Sequence, residues 1–126
     1  MIYRFPVRVY YEDTDFGGIV YYANYLKYIE RARSDWVRSK GVDQRRMKED
    51  LGVVFAVRRV EADYLAPAFF DDLLEVRTEF VNWGTAKVEI AQDVWRDETK
   101  LFAARVTLVA IGENGWPTRI PAELRP

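Results

Sequence analysis

Residues 10–33 read YYEDTDFGGIVYYANYLKYIERAR, and the change of pattern inside this stretch decides the fold. Glu12, Asp13 and Asp15 followed by the Gly17-Gly18 pair are turn chemistry, because short acidic side chains bond their own backbone and glycine accepts left-handed conformations. Beyond it, apolar residues recur at helical spacing through Tyr25, Ile29, Ala32 and Trp36. The spacing predicts a turn that opens a helix, with Asn24 as N-cap and Gly41 as stop. At roughly 100° per residue the apolar stripe, which also takes in Leu26, Tyr28 and Val37, covers about half the cylinder. A helix coated that widely is wrapped by other elements. Arg33 projects into the stripe, either as a snorkelling residue at its edge or as the partner of a buried carboxylate.

Upstream, Tyr3, Phe5, Val7, Val9 and Tyr11 alternate with Arg4, Pro6 and Arg8, which predicts a strand from Tyr3 to Tyr11, with Pro6 marking an edge or a strand start. Downstream, residues 43–50 (DQRRMKED) predict a short polar helix or loop closed by Gly52. Four alternating runs follow, around Val60, Ala62 and Tyr64; Leu74, Val76 and Phe80; Val88, Ile90 and Val94; and Phe102, Ala104, Val106 and Leu108. Turn signals separate them at Ala66-Pro67, Asn82-Trp83-Gly84 and Asp97-Glu98. The order is strand, long helix, then four antiparallel strands. It predicts one α+β domain over residues 1–126, its sheet curled around a single helix.

The composition limits the chemistry. Nineteen Lys and Arg balance 20 Asp and Glu for a net charge of −1, which gives no bias towards nucleic acid or an anionic membrane. No apolar run is long enough for a transmembrane helix, and the N-terminus lacks a signal-peptide core, so a cytoplasmic protein is expected. With no Cys and no His, disulfides, thiolate or imidazole metal sites, and Ser-His-Asp or Cys-His catalysis are excluded within the chain. Acid–base work falls to carboxylate, lysine, tyrosine or backbone. An EF-hand starting at Asp13 fails, since Gly17 and Asn24 stand where ligands are needed; Mg²⁺ on Asp13 and Asp15 competes with an Asx turn of solvated carboxylates, and no metal site is assigned.

Asp15 lies seven residues before Tyr22, across two flexible glycines, and the chain then enters the helix. A helix start offers unpaired amides and a positive dipole end close to that carboxylate. Such a pairing suits acyl transfer, the amide receiving the developing oxyanion while Asp15 attacks the carbonyl or deprotonates water. Acting as a base near neutral pH would require burial of Asp15. Tyr21, Tyr25 and Phe55 are expected to form an apolar pocket, with Gly18 at the turn beside it.

VRVYYEDTDFGGIVYYANYLKYIERAR (residues 7–33) and YLAPAFFDDLLEV (residues 64–76) resemble the hot-dog-fold thioesterases of the 4-hydroxybenzoyl-CoA thioesterase superfamily, most of all the acyl-CoA thioesterase branch associated with the Tol-Pal system. The resemblance spans about Phe5 to Pro121. It implies a five-stranded antiparallel sheet wrapped around one long helix, dimers or dimers of dimers with active sites at the interface, and an acyl-CoA or acyl-carrier-protein thioester as substrate. Coenzyme A is then part of the substrate and no separate cofactor is implied. Asp15 matches the catalytic carboxylate, the Tyr22 N–H the thioester-polarising donor, and Tyr11 a site tyrosine. The Tol-Pal branch usually has histidine at the position of Tyr22, so any histidine-assisted proton transfer is absent here. A basic cluster that would meet coenzyme A phosphates is thin, reduced to Lys87 with Arg58 and Arg59, each of which also reads as a solvated strand-face charge. Two rival readings are a hot-dog hydratase, which the missing histidine disfavours, and a non-catalytic thioester-binding module.

Overall fold

The computed structural model describes all 126 residues. The chain runs β1 (Tyr3–Arg8), α1 (Asn24–Ser39), α2 (Gln44–Leu51), β2 (Val54–Tyr64), β3 (Leu73–Trp83), β4 (Lys87–Arg96) and β5 (Thr99–Ile111). The five strands form one antiparallel sheet in the order β1-β3-β4-β5-β2, the expected α+β architecture. β1, the strand carrying Pro6, is indeed an edge. β3, β4 and β5 form a meander, and β4 turns into β5 through Asp97, a non-glycine residue at φ 52°. The 65–72 connection carries the chain from β2 at one edge to β3 beside β1 at the other, so β2 and β3 are not neighbours.

β1 is shorter than its alternation predicts. It ends at Arg8 because the backbone of Val9 pairs with Asp71 and Asp72, and Tyr11–Asp13 then tighten into a 3-10 turn. The Asp13 carboxylate accepts from the Tyr10 N–H at 2.9 Å and holds that turn closed.

α1 lies against the concave face. Tyr25, Tyr28, Ile29 and Ala32 are buried against Val7, Leu74, Val76, Val94, Phe102 and Val106. A second cluster joins Val37 to Met47 of α2 and to Val88, Ile90 and Ala110. Burial of each large aliphatic side chain contributes about 1.5–3 kcal/mol, which is what holds the helix to the sheet. The buried face is narrower than the sequence stripe suggests, since Leu26 is 41% exposed. Arg33 is neither a free snorkelling cation nor paired to a carboxylate: its Nη1 donates to Oε1 of the buried Gln92 at 2.9 Å. Gln92 Nε2 in turn donates to the carbonyl of Ile29 and to Thr78 Oγ1.

β2 departs most from expectation. Its alternation predicts one buried face, yet apart from the half-buried Phe55 every residue is exposed, including Val57, Val60 and Tyr64. It pairs only with β5, so its outer edge carries unsatisfied backbone groups.

Candidate active site

The 13–24 loop is a small hairpin. Thr14 bridges Val20, the Asp15 N–H donates to the Ile19 carbonyl at 2.9 Å, and the Gly18 N–H donates to the Asp15 carbonyl at 3.0 Å. Gly18 has φ 83° with open space where a side chain would project, so glycine is required there by backbone conformation rather than by crowding. The returning arm is sewn in by Ile19 against Phe69 and by the Val20 N–H on the Ala68 carbonyl.

Asp15 is exposed, and its Oδ1 accepts from the Gly17 N–H at 2.9 Å in an Asx turn. The three acids of EDTD therefore do not converge: Asp13 faces Tyr10, Asp15 faces Gly17, and Glu12 points to solvent. Among the side chains of the whole molecule no three His, Cys, Asp or Glu are grouped as metal ligands.

The helix start is where the geometry becomes chemical. Asn24 is the first residue of α1 and not its N-cap; Ala23 holds the cap position and gives no side-chain hydrogen bond. Asn24 instead turns back, and its Nδ2 donates to the Asp13 carbonyl at 2.9 Å, the same oxygen that accepts from the Tyr21 N–H at 2.9 Å. One carbonyl thus ties both arms of the hairpin to the helix. The N–H groups of Tyr22 and Ala23 donate to no oxygen of the chain. Exposed, unpaired amides at a helix start form a donor site for negative charge.

The surroundings are tyrosines. Tyr64 Oη donates to the Tyr22 carbonyl at 2.9 Å, and the Tyr22 ring packs on Tyr21 and edge-on to Tyr64. Hydrogen bonding with Tyr22 raises the Tyr21 pKa, and burial, with Tyr22 close by, raises that of Tyr64. Beneath them Tyr28 is fully buried, and its hydroxyl makes no hydrogen bond. Burial first, and then the nearby Asp13 carboxylate, push its pKa well above the usual phenol range.

Comparison with known proteins bears on the chain as a whole. The model of the thioesterase superfamily matches residues 17–103. The chain belongs to the thioesterase superfamily. It is 41% identical over 111 residues to the acyl-CoA thioester hydrolase YbgC of Escherichia coli O157:H7, covering 87% of this chain and 82% of that protein. It is 42% identical over 124 residues to the acyl-CoA thioesterase YbgC of Helicobacter pylori 26695, covering 90% of each. Among solved structures, a probable thioesterase from Bartonella henselae superposes with a TM-score of 0.91 at 35% identity, over 96% of this chain and all of that one.

Within this thioesterase the residues singled out from sequence fall into two places. Tyr11, Asp15, Gly18 and Tyr22 share the hairpin and its base, where the exposed Tyr11 ring packs edge-on to Phe70. The others lie elsewhere. Tyr25 is a core residue rather than a pocket wall, 3% exposed and stacked on Phe102 at 4.9 Å. Phe55 sits at the opposite end of β2 from Tyr64, about 30 Å away along an extended strand. It packs into the second core cluster. Lys87 lies opposite Val109, which faces Ala56, so it is at the Phe55 end. Arg58 occupies a bulge next to Val57, and Arg59 is held by Glu61 at 2.7 Å. A single chain therefore does not bring Phe55, Arg58, Arg59 or Lys87 to Asp15.

Sequence reasoning does not reach Tyr64 or the Asp13 carbonyl, which the structure adds to the base of the hairpin. The only sequence signal for Tyr64 is an aromatic closing an alternating run before the Ala66-Pro67 turn.

Proposed function

We propose that this thioester hydrolase cleaves acyl-CoA, with the Tyr22 N–H polarising the thioester carbonyl and Asp15 supplying the oxygen attack. The unpartnered amides at the uncapped start of α1, on the same hairpin as an exposed carboxylate, are the observation that carries this reading. The names of the relatives support the substrate class. Two routes fit. In the first, an Asp15 oxygen attacks the carbonyl carbon, the C–S bond breaks, the coenzyme A thiolate leaves and takes a proton, and water cleaves the resulting anhydride. In the second, Asp15 removes a proton from the attacking water. In both, charge on the carbonyl oxygen is met by an amide that has no partner within the chain.

The single chain leaves this site open, which supports an assembly of copies. Antiparallel pairing of two β2 edges would satisfy their exposed backbone groups. If centred on the strand, it would carry Phe55 and the basic residues near it to the Tyr64 end of the other copy. On this reading the active unit is a dimer or dimer of dimers, in the cytoplasm. No helix is long and apolar enough to cross a membrane. Acyl-carrier protein as thioester donor, and an association with the Tol-Pal system, belong to the same proposal; coenzyme A enters only as substrate.

The test is free-thiol release from short-chain, long-chain and aromatic acyl-CoAs by the native protein and Asp15→Asn, with sedimentation of the same preparations. A chain without Cys adds no background thiol. Release lost in the Asn variant, from a protein that sediments as a dimer or larger, supports the reading. Unchanged release in Asp15→Asn, or activity in a monomer, overturns the corresponding part.

A further inference from the structure

Tyr22, Leu26, Glu30 and Arg33 are spaced i, i+4, i+8 and i+11, which aligns them along one side of α1 and its lead-in. Leu26, Lys27, Glu30, Arg31 and Arg33 line an open groove on that side. Arg33 is also the only polar residue lining a small apolar pocket, whose other walls include Trp36, Phe55, Phe80 and Trp83. Arg33 is only partly exposed, and burial lowers its pKa. A guanidinium offers five donors, and the chain engages this one through a single hydrogen bond, to Gln92. Glu30 is the only acid lining the groove; its carboxylate accepts from Ser34 Oγ at 3.3 Å and makes no ion pair with Arg33. Lys27, Arg31 and Arg33 against Glu30 leave the groove positive.

A partly buried cation with spare donors, near the Glu30 carboxylate but not ion-paired to it, leaves room for an outside acceptor. Serving Gln92 does not require a charge, because any amide N–H would do so. The nine residues from Asn24 to Arg33 rise about 13 Å, and helical side chains lean towards the N-terminus. The guanidinium therefore meets a molecule lying in the groove on the order of 10 Å from the helix start.

We propose that Arg33 is a specificity-determining residue, selecting acyl thioesters whose acyl group ends in a carboxylate. The inference rests on the reading of the Tyr22 end as the thioester site. Leu26 lies against the methylene chain and the guanidinium takes the distal carboxylate in a charge-assisted, two-pronged contact.

The experiment compares suberyl-CoA with octanoyl-CoA, equal in chain length and differing in the terminal carboxylate, for both equilibrium binding and thiol release. Native protein, Arg33→Gln and Arg33→Lys are used. Gln keeps a donor for Gln92 and removes the charge; Lys keeps the charge and loses the fork. The expected result is a native preference for suberyl-CoA of roughly tenfold or more, abolished in Arg33→Gln, partly kept in Arg33→Lys, with octanoyl-CoA affected little. No native preference, or a Gln variant that keeps it, overturns the assignment. Preferential binding of suberyl-CoA through Arg33 without any thiol release supports the role of Arg33 and overturns hydrolysis instead, so the two failures are distinguishable.

Discussion

At the start of α2 the Asp43 carboxylate accepts from the amides of Arg45 and Arg46, at 2.9 and 3.4 Å, whereas α1 starts behind Ala23 with no side chain over its first amides. α2 is closed at the other end by Gly52 at φ 65°, so both termini of that short helix are finished. The longer helix has the better-buried face and tolerates an unfinished start. The contrast shows where stability has been set aside: packing against the sheet holds α1, leaving its amides available to a ligand.

The contrast is broken most severely at Tyr22. Tyr22→Pro deletes an N–H that has no partner in the chain, at the residue before the N-cap and outside the helical hydrogen-bond ladder. Its kcat should fall roughly a hundredfold with little loss of Tm, while Tyr22→Phe, which keeps the amide, stays near native. A fully active proline variant would remove the backbone amide from the mechanism. A smaller effect is expected for Asn24→Ala, which frees the Asp13 carbonyl from one of its two donors. Thiol-release kinetics should show kcat lower by about two- to tenfold and KM little changed; a change in KM alone would argue against a positioning role.

The smallest effect lies at the finished helix. Asp43→Ala should lower Tm by about 3–6 °C and leave kcat/KM unchanged. The amides of Arg46 and then Arg45 hold the Asp43 carboxyl below the usual carboxylate range. Its stabilisation is therefore complete above the unfolded-state value and is lost as pH falls through the lowered folded value. Thermal melts of the pair should converge in acid; a gap that widens on acidification contradicts the cap.

Periodicity made the elements legible because each is coupled to one buried face. It predicted α1, the Gly41 and Gly52 stops and all five strands. It failed where tertiary partners decide. The strand at Tyr3 stops early because the 71–72 backbone captures Val9, and Asn24 bonds a carbonyl eleven residues upstream instead of capping its own helix. Asp15 and Gly18 were readable because turn chemistry is local. Tyr64 was not, since its hydroxyl bonds a carbonyl 42 residues away. Phe55 and Tyr25 looked equivalent as aromatics, yet one packs on the second core cluster at the far end of the sheet and the other belongs to the first. Alternation in β2 predicted a face to bury but could not show that this chain leaves that face uncovered.

That uncovered strand has a meaning for evolution. If copies join along β2, a change at Phe55 is felt at the 13–24 hairpin of the neighbouring copy and not at its own. The residues of this edge are then constrained as though they lined the hairpin of their own chain, and selection acts on the strand pair as the inherited unit.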